Sequence, residues 1–322
     1  MRAVARKIDS PMSATVLVSN AKSRRRVADG ARALGWRLIA PALAMLALNS
    51  IFPLIYALTV SFRNYQLLIP VPHRWIGFAN YARIFHDPLF SSSVVVTAWF
   101  VAGVVFLQFP AGLGLALLLN RLRRFQDILA TLLLIPTIVS STVAAFQWLQ
   151  LFNYRFGPLD FMLSRLGLGQ PTWTANPSLA LPSLMFVDFW QWTPFMTLLL
   201  FAGLRSLPSS LVDAAQVDGS SAWQIVWRIY IPLIRPVIGI ALILRVLMSF
   251  KLFDIIYVLT AGGPGTVTEN LAFYTYVQGF RYFNLGYASA LAILQLIVVA
   301  LLAKALIQLT RRPGVGSREA IA

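Results

Sequence analysis

Long apolar runs alternate with short polar segments along nearly the whole chain. Six runs reach the roughly 20 residues that an α-helix needs to cross a bilayer. The predicted spans cover residues 37–61, 93–119, 128–152, 178–203, 233–259 and 286–309. Prolines inside several of them are tolerated where neighbouring groups satisfy the freed backbone. The pattern predicts an all-α integral membrane protein with six transmembrane helices.

The polar segment between the fourth and fifth spans has the pattern of two short helices. Pro208 ends the fourth span, because the residue before a proline is biased away from helix. Ser210 and Asp213 have the spacing of a capping box, so we expect a first helix to begin at Ser210. Asp218 and Gly219 are expected to end it, since glycine accepts the left-handed conformation that follows many helices.

A second capping pair, Ser221 and Gln224, predicts the start of the second helix. Its apolar residues recur at helical spacing and predict one apolar face: Trp223, Val226, Trp227 and Tyr230. Pro232 and Pro236 then begin the fifth span. An interfacial helix that tryptophans anchor in the bilayer surface is an alternative interpretation of this segment.

The composition excludes a soluble globular protein. Hydrophobic residues make up 58% of the 322 residues, charged residues only 12%, and the mean hydropathy is +0.72. The net charge of +16 follows the membrane topology: 19 of the 27 basic residues lie on the side of the two termini and of the polar insert, and six lie on the other side. The positive-inside rule therefore places both termini and the insert in the cytoplasm, and the charge does not indicate nucleic-acid binding.

The chain contains no cysteine, which excludes disulfides, thiolate catalysis and cysteine-ligated metals. It also lacks the GxxxxGK[ST] phosphate-binding loop. We predict no catalytic residue, no metal site and no cofactor. The predicted organisation is a basic cytoplasmic arm at residues 1–36, a transmembrane domain at 37–310 with the insert at 208–232, and a cytoplasmic tail at 311–322.

The insert resembles the coupling motif EAA-x-x-x-G of ABC importer permeases. Here the motif reads Asp213-Ala214-Ala215-Gln216-Val217-Asp218-Gly219, and Pro232 matches the downstream family proline. Asp213 replaces the usual glutamate and Ser220 replaces a common alanine. Aspartate keeps the charge but shortens the reach toward a partner by one methylene.

Further stretches resemble the carbohydrate branch of this family, the MalF-type sugar permeases. They are Gly77-Phe78-Ala79-Asn80-Tyr81, Trp190-Gln191-Trp192-Thr193-Pro194-Phe195, Gly262-Gly263-Pro264 and Gly286-Tyr287-Ala288-Ser289-Ala290. They occur in the family's order, and the resemblance covers residues 36–310.

This resemblance implies a permease subunit of an ATP-driven importer in the cell inner membrane. The implied partners are a second permease subunit, two cytoplasmic ABC ATPase subunits, an extracytoplasmic solute-binding protein and membrane lipid, but no nucleic acid. ATP hydrolysis is then expected in the separate ATPase subunits. The coupling residues would fit a cleft of one ATPase and transmit its closure as a tilt of the membrane helices.

Polar residues at membrane depth are the candidates for the solute pathway, because they usually face a cavity or a partner. The candidate pathway residues are Asp188, Trp190, Gln191, Trp192, Ser249, Lys251, Asp254 and Tyr257. A carboxylate and stacking rings suit a sugar. Two alternatives stay open: Lys251 and Asp254, at i and i+3, neutralise each other, or the aromatic residues form an interfacial belt.

A different class of function also stays open at this point. An ion-coupled secondary transporter would use Asp188 and Asp254 as coupling acids, whereas a membrane scaffold would not need polar residues within its spans. The insert favours the importer, because a secondary carrier needs no capped pair of cytoplasmic helices. The residues do not distinguish monosaccharide, oligosaccharide, polyol or glycerol-phosphate cargo.

Overall fold

The computed structural model describes residues 35–68, 73–122, 125–167 and 169–310. The predicted basic arm lies outside the described residues except for its last two positions, and the predicted tail of residues 311–322 lies outside them entirely. Within the described ranges the chain is helical, and its extended contacts are two isolated bridges, between Arg63 and Trp75 and between Gln66 and Asn284. The predicted all-α class is confirmed.

Long apolar helices alternate with short helices in the connections. The long apolar helices are α1 (Gly35–Ser61), α3 (Pro88–Arg121), α7 (Pro177–Arg205) and α13 (Leu285–Thr310). Two bent pairs are α4 (Gln126–Ile138) with α5 (Ser141–Leu151) and α9 (Ala222–Leu233) with α10 (Arg235–Phe250). The short helices are α2 (Ala79–Phe85), α6 (Pro158–Arg165), α8 (Ser209–Val217), α11 (Asp254–Leu259) and α12 (Leu271–Tyr276). The described chain thus has four apolar helices long enough to cross a membrane, and up to six spans if each bent pair is one span.

Two compact units divide the chain between Thr59 and Val60. The first contains nearly all of α1, and the second contains every other described helix.

Within the second unit, α3 and α7 pack along each other more extensively than any other helix pair. Both begin at a side-chain cap: the oxygens of Asp87 and Asn176 accept a backbone N–H two residues on, at 3.0 and 2.8 Å. Each cap precedes a proline at the first helical position, where the missing N–H costs nothing.

The predicted third span is bent, and its prediction as one continuous helix over residues 128–152 is wrong. Helices α4 and α5 meet at 87°, with Val139 and Ser140 between them. The carbonyl oxygen of Val139 accepts a hydrogen bond of 2.9 Å from the side-chain amide of Gln191 on α7. An interruption at membrane depth is tolerated when another part of the protein satisfies the freed backbone in this way.

The predicted fifth span is also interrupted. Helix α10 ends at Phe250 rather than at residue 259, and α11 starts only at Asp254. The side-chain amide of Asn270 donates to the carbonyl oxygen of Leu252 in this break, at 2.6 Å. Lys251 therefore does not lie one helical turn from Asp254; both are exposed, and the described residues include no ion pair between them. The alternative in which Lys251 and Asp254 neutralise each other is therefore wrong.

Buried apolar side chains form clusters at different heights of the helix bundle. The largest cluster is contributed mainly by α3, α5, α7, α11 and α12, and it includes Phe100, Val104, Trp148, Leu184, Val187 and Ile255. A second cluster joins the opposite ends of α3 and α7 to α10 through Ala116, Leu119, Met196, Leu200, Leu204 and Ala241. Both clusters hold α3 and α7 together, on either side of the polar residues described below, and the second also holds α10.

Candidate functional site

The first helix of the insert begins without the predicted side-chain cap. Helix α8 starts at Ser209, Pro208 is its N-cap residue, and no side chain caps the first turn. The predicted capping box between Ser210 and Asp213 is therefore wrong. The start one residue earlier places Ser210 inside the helix, where its hydroxyl no longer lies at the capping position.

The end of α8 has the geometry that its glycine predicts. Gly219 has a φ of +78°, a conformation that glycine adopts without the strain of a Cβ. Its N–H donates to the carbonyl oxygen of Gln216 at 3.0 Å, and the N–H of Ser220 donates to that of Ala215 at 2.9 Å. These are the two bonds of the Schellman motif, so the helix stops at a defined point.

The second helix of the insert begins at the predicted capping box. The N–H of Ser221 donates to Gln224 Oε1 at 2.8 Å, and the N–H of Gln224 donates to Ser221 Oγ at 3.3 Å. A π-helical turn follows within α9 at Val226–Tyr230. The rings of Trp223 and Trp227 pack edge to face at 5.4 Å and remain exposed.

The candidate coupling residues differ in their exposure. Ala215 is buried against the chain itself, whereas Ala214 is exposed. Val217, 88% exposed, and Asp218 share a helix face with Ala214 through their i, i+3, i+4 spacing. Asp213 is exposed beside this face, and Pro232 is exposed near the end of α9. The insert therefore presents a surface of small, apolar and acidic residues.

A buried polar network joins three helices between the two core clusters. Arg245 on α10 donates to the carboxylate of Asp188 on α7 and to the side-chain oxygen of Gln108 on α3. The amide of Gln108 donates to Asp188 Oδ2 at 2.9 Å. All three side chains are at most 1% exposed. A buried charge needs such a partner, because its desolvation costs several kcal/mol.

Two acceptor atoms beside this network have no donor among the described residues. They are Asp188 Oδ1 and Gln191 Oε1, both buried. The guanidinium of Arg245 lies 5.7 Å from the ring centre of Trp192, and the hydroxyl of Ser249 donates to the backbone oxygen of Arg245 at 2.8 Å. Unpaired carboxylate and amide oxygens accept hydrogen bonds from hydroxyl groups.

The candidate pathway residues divide into separate groups. Asp188, Trp192 and Ser249 surround Arg245, and Gln191 lies one turn from Asp188. Trp190 instead packs into the aromatic core, with its ring 5.6 Å from that of Trp148.

The remaining three candidates lie at the interruption after α10. Lys251 and Asp254 are exposed there, and the ring of Tyr257 stacks on Phe253 at 5.4 Å. The sequence reasoning missed Gln108 and the pairing of Arg245 with Asp188, although the opposite charges of the fourth and fifth spans were a signal for that pair.

A second polar cluster lies where α3 begins. Asp87 Oδ2 accepts hydrogen bonds from the hydroxyls of Tyr274 and Tyr287, the latter at 2.6 Å. Burial raises the pKa of Asp87, but these hydroxyls and the N–H groups of Leu89 and Phe90 outweigh it, so the pKa lies below its ordinary value. The cluster ties α3, α12 and α13 together at one end of the bundle.

The sequence is similar to those of known proteins over most of its length. Residues 108–312 match the family described as binding-protein-dependent transport system inner membrane component. The trehalose/maltose transport system permease protein MalF of Thermococcus litoralis is 36% identical over 83% of this chain and 90% of its own length. The trehalose transport system permease protein SugA of Mycobacterium tuberculosis is 35% identical over 92% of this chain and 94% of its own.

Another relative is the sulfoquinovosyl glycerol transport system permease protein SmoG of Agrobacterium fabrum, 36% identical over 82% of this chain and 86% of its own length. The fold is similar to that of a bacterial ABC transporter involved in the import of the acidic polysaccharide alginate. That match has a TM-score of 0.79 and 23% identity, and it covers 90% of this chain and 99% of the solved one. The family match spans more than half of the chain, so the protein belongs to the family of binding-protein-dependent transport system inner membrane components.

Proposed function

We propose that this chain is the permease subunit of an ATP-driven ABC importer that moves a carbohydrate across the inner membrane by alternating access. Its family membership supports a transport subunit rather than an enzyme. The names of the relatives include trehalose, maltose and sulfoquinovosyl glycerol, which supports a sugar or related solute as cargo. A second permease subunit, two ATPase subunits and an extracytoplasmic solute-binding protein complete the proposed transporter.

The observation that carries this proposal is the shape of the insert. A defined stop at Gly219 and a capping box at Ser221 fix the two helices, and the exposed face of Ala214, Val217 and Asp218 offers a surface to a partner. We assign Asp213, Ala214, Ala215, Asp218, Gly219 and Pro232 to ATPase coupling. The ATPase must bind this surface differently in its two states, because otherwise its closure could not shift the equilibrium of the permease.

The proposed topology puts the insert and both termini in the cytoplasm. It rests on the excess of basic residues on that side. Under this topology α7 ends in the cytoplasm, where the insert follows it. Because consecutive spans alternate in direction and the α4–α5 pair lies between α3 and α7, α3 also ends in the cytoplasm. Asp87, at the start of α3, then lies on the outer side.

The proposed solute pathway passes the buried polar network. Asp188 Oδ1 and Gln191 Oε1 are acceptors without a donor in the described chain, and the hydroxyls of a sugar would supply donors. Trp192 and Ser249 lie next to them, and Trp190 supports the same segment of α7 from the aromatic core. Lys251, Asp254 and Tyr257 would line the outer part of the route at the break after α10.

The ion-coupled alternative has less support. One of its two proposed coupling acids, Asp188, is already paired with Arg245, so that pair carries no net charge with which to bind a cation. The family match does not favour this class of transporter either.

A valine at Gly219 tests the proposal. The open space around this glycine accepts a side chain, but the positive φ does not suit valine, so the end of α8 should change shape. We expect Gly219→Val to lose both solute uptake and co-purification of the ATPase. Gly167→Val is the matched control, because Gly167 also has a positive φ and open surroundings but lies after α6, far along the chain from the insert. Unchanged uptake and ATPase retention in Gly219→Val would contradict the coupling assignment.

A further inference from the structure

A cavity of about 440 Å³ lies beside α6, on the predicted outer side. Its walls are the turn at residues 154–157, the first half of α6 and Gln170. A Cβ on Gly157 would lie 2.3 Å from the carbonyl oxygen of Asn153, so only glycine fits this tight turn. The volume is within the range of small-molecule binding sites, roughly 300–1,000 Å³.

The cavity contains a buried carboxylate that is only half satisfied. Asp160 is 1% exposed, and its Oδ1 accepts a 2.6 Å hydrogen bond from the indole N–H of Trp173. Its Oδ2 has no donor among the described residues. Leaving a buried acceptor unpaired is costly, and such an atom in a folded protein calls for an explanation. The bond from Trp173 holds Oδ1 in place, while Oδ2 lies buried in the cavity wall, so a ligand reaches it only when the side chain or the atoms that cover it move.

The charges around the cavity favour a neutral ligand. Arg155 lines the same cavity as Asp160, with its guanidinium 5.2 Å from the ring centre of Tyr154. Arg155 would repel a cation and Asp160 would repel an anion. A neutral group with several hydroxyls avoids both repulsions, because it donates to the carboxylate and accepts from the guanidinium.

Aromatic side chains complete the lining. Tyr154, Phe156 and Phe161 border the cavity and are 50%, 86% and 59% exposed. A guanidinium lies over one face of Tyr154 (Arg155, 5.2 Å) and over one face of Phe161 (Arg165, 5.1 Å). Phe156 therefore offers its apolar face to the C–H groups of a sugar ring, and Gln170 adds an amide for its hydroxyls. We propose that this cavity is a saccharide-binding subsite, in which a hydroxyl of a neutral sugar donates to Asp160 Oδ2. This inference rests on the proposed carbohydrate function and lies apart from the proposed pathway at Asp188.

Saccharide binding to the full-length chain in lipid nanodiscs, without the binding protein, tests this subsite. Saturation-transfer NMR with trehalose and glucose would measure the affinity. We expect Asp160→Asn to weaken binding by at least about tenfold, the effect of losing one hydrogen bond to a charged group. Phe156→Ala should weaken it by about two- to tenfold, the effect of losing one aromatic contact. Phe156→Ala changes an exposed ring, so it keeps the test valid if Asp160→Asn does not fold. Phe280→Ala, at another exposed ring outside the cavity, should bind like the wild type.

The inference is overturned if neither sugar binds the wild type, which would leave Oδ2 satisfied by water, or if both cavity variants bind unchanged. A signal that disappears in Asp188→Asn but persists in both cavity variants would also overturn it, since the sugar would then lie in the proposed pathway. ATPase-dependent uptake by the complete transporter is measured in parallel. Uptake without cavity binding would reject this subsite alone, whereas cavity binding without uptake would reject the proposed import function alone.

Discussion

Arg245 and Asp188 bond to each other from two different helices, and each side chain is only 1% exposed. The pair connects α7 with α10, and Gln108 extends the connection to α3. Helices α3 and α7 meet in both large apolar clusters, and α10 joins them in the second one. The pair therefore fixes the relative positions of helices that lead directly into the insert, since α7 precedes α8 and α10 follows α9.

Removal of one partner of this pair is expected to be strongly destabilising. Asp188→Ala leaves the guanidinium of Arg245 buried without a counter-charge, at a cost of about 3–5 kcal/mol. Thermal unfolding of the purified protein in detergent measures the loss. The double variant Asp188→Ala with Arg245→Met is the control, because an apolar pair carries no uncompensated charge and should recover much of the stability. Equal melting of Asp188→Ala and the wild type would show that the pair contributes nothing.

Asp87 should make stability fall in acid. Its pKa in the folded protein is lower than in the unfolded chain, where an aspartate titrates near about 3.9. Its contribution is therefore present above about pH 3.9 and disappears as the pH falls through the lower folded pKa. We expect the wild type to be more stable than Asp87→Asn at pH 5–7, with the difference shrinking below about pH 3.9.

Tyr287→Phe serves as the control for this carboxylate, because it removes one of the two hydroxyl donors to Asp87. Its acid-induced loss of stability should be smaller than that of the wild type and should be complete at a higher pH, closer to the unfolded value. Unfolding curves at successive pH values compare the three proteins. A difference between the wild type and Asp87→Asn that stays constant down to pH 2 would contradict the assignment.

Glu269 should have the opposite effect. Burial raises its pKa, and the positive charge of Arg281 only partly opposes this shift. Its stabilising contribution is then complete below the unfolded pKa of about 4.3 and is lost as the pH rises through the higher folded pKa. Glu269→Gln should therefore gain stability relative to the wild type as the pH rises above about 4.3. Arg281→Gln, which removes the opposing charge, should steepen the pH dependence; an unchanged slope in both variants would reject this explanation.

Local patterns predicted the features that depend on residues close in the chain. The capping box of Ser221 and Gln224 spans three residues, and Gly219 ends α8 through bonds within five. The breaks at Val139 and Leu252 were missed, because side chains 52 and 18 residues away satisfy the freed carbonyls. A hydrophobic pattern marks a run as long enough to span a membrane but not where a distant amide permits an interruption.

The same limit applies to the candidate site. The opposite charges of Asp188 and Arg245 were visible in neighbouring spans, but their pairing depends on packing across 57 residues. Gln108 gave no signal, because a single glutamine in an apolar helix has no local pattern. The half-satisfied Asp160 likewise depends on Trp173, which reaches it only through the fold of the connection after α6.

The two serines of the insert should respond differently to substitution. Ser221 caps α9, so Ser221→Ala should cost about 0.5–2 kcal/mol. Ser210 makes no cap, so Ser210→Ala should change stability by less than about 0.5 kcal/mol. Asp213 also makes no capping bond, which removes the structural explanation for its position. We therefore expect Asp213→Ala to melt like the wild type while retaining less ATPase during co-purification. If Asp213→Ala instead melts as low as Ser221→Ala and its ATPase loss follows that instability, Asp213 supports the fold and the contact with the ATPase must lie elsewhere on α8.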